Sequence, residues 1–121
     1  MDPETYINQL REDLYGFRDV IDNALSNDVP NSAAINDIYA LLQKTRESAE
    51  GVGYGLVTQI CSLACGILQR RETADGSTLR AVRAHLDALV IITEHDLDGD
   101  GGTLGQEMVC ELEGLAKAVS A

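Results

Sequence analysis

The sequence predicts an all-α fold, an up-and-down bundle of about five helices folded as a single domain over residues 1–121. Three observations lead there. Apolar residues recur at three- and four-residue steps through five separate stretches. The chain has no tryptophan, one phenylalanine and four tyrosines, so its core is built from Leu, Ile, Val and Ala, which suits packed helices better than sheets. The connections are mostly three to eight residues long, and short connections favour antiparallel neighbours.

Asp2-Pro3-Glu4 reads as a helix start, with an N-cap, a proline in the first turn and an early acid. Ile7, Leu10, Leu14, Phe17, Ile21 and Ala24 then form one apolar stripe, and the helix runs to about Leu25. Pro30 blocks its continuation, and Asn31 or Ser32 caps a second helix. A third, from Leu56 to about Arg71, is apolar on several sides, which places it centrally or under cover on two faces. Ser77 is the expected cap of a fourth helix, which ends near His95. Leu79, Val82, Leu86, Leu89 and Val90 form its buried face, and Ile91 and Ile92 fall off that stripe. The last helix starts near Leu104, with Leu104, Met108, Leu112, Leu115 and Val119 as its stripe.

The net charge of −11 argues against binding a nucleic-acid backbone, which needs a basic patch, and predicts a soluble monomer. No 18-residue apolar run exists, so no membrane span is expected, and the acidic, polar start lacks the form of a secretory signal. Cys61, Cys65 and Cys110 lie in apolar helical patterns and read as buried thiols in a reducing cytoplasm. No further Cys or His joins Cys61 and Cys65 at a zinc-site spacing.

Residues 38–54 carry the most informative pattern. Wound as a helix, they place Leu42, Thr45, Ala49 and Val52 within about 40° of Ile38, an inward stripe. Gln43 falls about 140° from Ile38 with Asn36, Ala40, Glu47 and Glu50, while Tyr39 and Arg46 sit at the boundary. Gly51, Gly53 and Gly55 close the stretch around Tyr54, since glycine permits the left-handed backbone that stops a helix.

The run Gln43-Lys44-Thr45-Arg46-Glu47-Ser48, followed by Gly53-Tyr54, resembles the phosphohistidine helix of histidine-containing phosphotransfer (HPt) domains. Their pattern is His-x-x-Lys-Gly-Ser, then a glycine and an apolar or aromatic residue. Ser48, Gly53 and Tyr54 match and Arg46 stands in for the lysine, but Gln43 replaces the phospho-accepting histidine and Glu47 the small glycine. The resemblance implies a four-helix core of HPt type with an additional N-terminal helix. It also implies a non-catalytic signalling protein, because a glutamine amide cannot serve as the nucleophile and Glu47 adds negative charge where a phosphate would sit. What it leaves is a docking surface of Tyr39, Gln43, Lys44, Arg46, Glu47, Glu50 and Tyr54 for a response-regulator receiver domain or a histidine kinase. The same residues also suit a merely solvated helix face in an unrelated structural bundle.

Neither histidine restores the motif. His85 lies at the edge of the fourth helix's apolar stripe and reads as a partly exposed structural residue. Aspartates surround His95 and would repel a phosphoryl group. An alternative function comes from Asp96, Asp98, Asp100 and Gly101, with Glu107 six residues on, which fit the spacing of an EF-hand calcium loop over residues 96–107. Asp96, Asp98, Asp100 and Glu107 would then give carboxylates and Gly102 a carbonyl. Against this, Thr103 and Gln106 also read as a capping box that starts a helix without metal. No Ser or Cys nucleophile stands beside a base and no phosphate loop follows a strand, so the sequence predicts no enzyme.

Overall fold

The computed structural model describes residues 2–26, 32–69, 75–95, 97, 99 and 101–120. Its described residues form five α-helices and no strand: α1 (Pro3–Ser26), α2 (Ser32–Gly51), α3 (Gly55–Leu68), α4 (Gly76–His95) and α5 (Gly102–Ser120). The all-α, five-helix expectation holds. No helix of the described chain is long and apolar enough to cross a membrane.

Each helix starts and stops for a local reason. Asp2 caps α1 through its Oδ1, which accepts the Thr5 N–H at 2.8 Å. At the end of α2, Gly53 takes φ +88°, Tyr54 N–H reaches back to the Ala49 carbonyl at 3.0 Å and Gly53 N–H to the Glu50 carbonyl at 3.3 Å. This pair of bonds is a Schellman stop, and only glycine enters that backbone region without strain. The cap of α4 is Asp75 and not Ser77: Asp75 Oδ1 accepts the Thr78 N–H at 2.8 Å, and Ser77 is exposed inside the helix. α3 stops at Leu68, short of the expected end at Arg71, which lies outside the described residues, as does Asn31.

Successive helices pack on one another, and α1 also packs against α4, so α1, α2, α3 and α4 close a four-membered ring. Polar bonds along the α1–α4 seam fix its direction. Arg11 Nε donates to Thr93 Oγ1 at 3.3 Å, Arg18 pairs with Asp87 at 3.1 Å, and Arg83 pairs with Asp22 at 2.9 Å. The α4 partner moves backward as α1 moves forward, so the two run antiparallel. α5 lies outside the ring, against α3 and α4. The additional helix is therefore C-terminal, and α1, expected as the accessory element, buries Ile7, Leu10, Leu14 and Ile21 in the common core. α3 touches α2, α4 and α5, which explains why it is apolar nearly all round.

The turn between α2 and α3 and the connection between α4 and α5 meet at one end of the bundle. Gly99 N–H donates to the Gly53 carbonyl at 2.8 Å and Leu56 N–H to the Gly99 carbonyl at 2.7 Å. Gly101 has φ +73°, and a Cβ there would stand 2.5 Å from Leu56 Cδ2 and 3.1 Å from Gly105 Cα. Gly101 thus serves close approach between two hairpin ends.

Candidate functional site

α2 is organised as its spacing predicts on the inward side. Ile38, Leu42, Thr45 and Ala49 are buried and Val52 is half-buried. On the outward side Lys44, Glu47 and Glu50 are exposed, while Tyr39, Gln43 and Arg46 are half-buried. Tyr39, Gln43, Arg46 and Glu50 fall within about 60° of one another on the helix and span about 16 Å along it. This stripe borders α3. The Thr58 hydroxyl on α3 donates to the Arg46 carbonyl at 3.3 Å, and the Arg46 charge reaches both α3 thiols.

Burial dominates at those thiols. It pushes Cys61 up to about 12, with further upward pressure from Cys65 and a smaller opposing pull from Arg46. Cys65 is raised the same way. Both are therefore neutral, unreactive thiols at physiological pH. Among the described residues no carboxylate pairs with Arg46, although Arg18 and Arg83 of the α1–α4 seam do have such partners. Cys110, expected to be buried, is exposed on α5.

Two residues leave the expected docking surface. Tyr54 is 4% exposed and belongs to the core. Its ring stacks on Tyr6 of α1, with centroids 6.4 Å apart and planes inclined by 24°, because the Schellman turn swings it inward ahead of α3. Lys44 points elsewhere: it lines a groove of about 370 Å³ between α1 and α2 with Tyr6, Leu10, Leu41 and Ser48. There the Tyr6 and Ser48 hydroxyls lie 2.8 Å apart. The α2 surface is thus a stripe of Tyr39, Gln43, Arg46, Glu47 and Glu50 beside α3, with Lys44 on the other flank.

His85 is fully buried, not partly exposed as its place at the stripe's edge suggested. α4 packs against α1, α3 and α5, so little of its circumference is left to solvent. Nδ1 lies 2.7 Å from the Ala81 carbonyl, to which a protonated Nδ1 donates, and Nε2 has no partner. Burial pushes its pKa below the ordinary 6.5, against a smaller upward pull from the Ala81 bond. An imidazole so enclosed cannot meet a phosphoryl donor in this conformation. His95 is exposed at the end of α4.

Of the calcium candidates, Asp96, Asp98 and Asp100 lie outside the described residues. Gly102 and Glu107 are placed, and both belong to α5, whose first turn is closed by the Gly105 N–H bonding the Gly101 carbonyl at 3.1 Å. Among the described residues no group of acidic, His or Cys side chains is arranged to hold a metal. The described half of the stretch is a helix start at Gly102, which puts Thr103 inside α5 and not at its cap.

The fold and the α2 face define an all-α five-helix protein with a mixed-charge stripe and no exposed nucleophile on it. Comparison with known protein families, characterised proteins and solved structures finds no match for this chain.

Proposed function

We propose that the chain is a binding module of HPt-like character that lacks phosphotransfer chemistry. It docks a response-regulator receiver domain or a histidine kinase, as a cytoplasmic monomer, and tunes signalling by occupancy. The observation that carries this reading is Arg46. It is a half-buried arginine in the last third of α2 with no carboxylate partner among the described residues, one turn from Gln43 at the position that a phosphorylated histidine holds in the resembled family. A cation left without a carboxylate among the described residues of a chain of net charge −11 is suited to an acidic patch on another protein. Tyr39, half-buried on the same stripe, offers apolar contact area beside it.

The test is titration of the purified chain against a panel of receiver and kinase domains, read by interferometry. Binding to at least one is expected, weakened at least tenfold by Arg46→Glu and several-fold by Tyr39→Ala. Binding to none, or binding indifferent to both substitutions, would sink the proposal. Tyr54→Ala is not a probe of docking, because that ring belongs to the core.

A further inference from the structure

Four large apolar side chains stand exposed among the described residues: Tyr15, Ile91, Leu104 and Leu115. Tyr15 has local partners, its hydroxyl donating to Glu94 at 3.3 Å and its ring lying under Arg18 at 5.1 Å. The other three, at 43%, 50% and 41% exposure, lie on α4 and α5, and helix geometry turns them toward one another. On α5, Gln106, Cys110 and Lys117 line clefts against Gln59 and Gly66 of α3 and so mark its α3 side. Leu104, Met108 and Leu115 lie within about 40° of one another on the opposite flank, toward α4. On α4, Arg83 and Glu94 mark the α1 side through Asp22 and Tyr15, and Ile91 lies about 60–80° round from them, toward α5. Because α4 ends at His95 and α5 returns from Gly102, Ile91 comes level with the stretch between Leu104 and Met108. The seam is about 16 Å long from Leu104 to Leu115, or three helical turns.

Acids border it. Glu107 and Glu111 are exposed on its α5 side and Glu94 on its α4 side, and neither Glu107 nor Glu111 has an ion-pair partner among the described residues. Arg80, exposed on α4 about 20° round from Ile91 and three turns back, leaves the acidic border to Glu94, Glu107 and Glu111, and an apolar strip with these carboxylates on its two flanks is complementary to a helix with an apolar face flanked by Lys or Arg. A second copy would bring the same carboxylates and a further charge of −11 against them, and an anionic lipid surface would be repelled likewise.

We infer that the α4–α5 seam is a docking site for a basic amphipathic helix of another protein, separate from the α2 face. The probe is a fluorescein-labelled 18-residue peptide of Leu and Lys with Leu along one helical face, titrated by anisotropy. Binding is expected to be salt-sensitive, at least tenfold weaker with Ile91→Glu/Leu104→Glu, and weakened comparably by Glu107→Lys/Glu111→Lys, whose polar substitutions leave the fold intact. Leu41→Glu, in the α1–α2 groove, is expected to leave it unchanged, and a peptide with Glu in place of Lys is expected not to bind. Failure of the Leu/Lys peptide to bind, or binding that the seam variants leave unchanged, overturns the inference. So does a wild-type dimer in sedimentation that Leu104→Glu converts to monomer, which would give the seam to a second copy. None of these outcomes bears on Arg46.

Discussion

Two buried residues show how position in the bundle sets chemistry. His85 keeps a neutral imidazole because burial holds its folded pKa below the ordinary 6.5 and its Nε2 meets no partner among the described residues. The unfolded chain takes up a proton as pH falls through 6.5, whereas the folded chain resists until lower pH. Stability from this group is therefore full above that value and declines below it. Thermal melts from pH 7.5 to 5.5 are expected to show a falling Tm that His85→Leu flattens. An equal slope in His85→Leu would assign the effect elsewhere. Tyr54 gives a second residue-level outcome. Removing a ring that is buried and stacked on Tyr6 is expected to cost about 3–5 kcal/mol in denaturant titration. A loss below about 1 kcal/mol, the range of surface substitutions, would return it to the surface.

Helix ends depend on single capping contacts. Asp75→Ala removes the bond to Thr78 N–H and is expected to cost about 1 kcal/mol, or about 4 °C in Tm for a chain of this size, while Ser77→Ala stays near neutral. The reverse ranking would restore Ser77 as the cap. Gly101→Ala forces both a left-handed backbone and a clash with the buried Leu56, and is expected to cost about 2–4 kcal/mol in the same titration. All five helices were legible in the sequence because each carries an apolar repeat at helical spacing. The α4 cap was not, since Asp75 and Ser77 both have cap chemistry and only the backbone path selects between them. The face of α5 was misread for a packing reason. Its buried line runs through Gly105, Val109 and Leu112, with Ala116 partly covered, and a buried glycine permits close packing where pattern-reading looks for bulk. Leu104 and Leu115, read as core, were left outside. At the candidate site the stripe through Gln43 and Arg46 was legible from periodicity, but the inward swing of Tyr54 depends on a turn conformation that periodicity does not encode.

At the scale of the molecule, ring closure decides which helix is dispensable. The resemblance to HPt domains cast α1 as an accessory to a four-helix core, but the contacts place it in the ring, between α2 and α4. Ile7, Leu10, Leu14 and Ile21 are all buried, and fully burying each such side chain is worth about 1.5–3 kcal/mol, so α1 contributes about 6–12 kcal/mol of apolar burial. That is comparable with the whole stability of a typical domain, about 5–15 kcal/mol. The seam adds electrostatic pinning through Arg83, which reaches both Asp22 and Asp87, although such partly exposed pairs are worth only about 1 kcal/mol or less. Burial therefore governs the outcome. A chain beginning at Ser32 is expected to lose cooperative thermal unfolding by circular dichroism, because α4 would present its α1 face, including Thr93, to water. Adding back residues 2–26 as a separate peptide is expected to restore a transition whose midpoint rises with peptide concentration, as linkage requires. A truncated chain that melts cooperatively alone would mean that α2, α3, α4 and α5 form the closed core, and α1 would return to the accessory role that the family resemblance gave it.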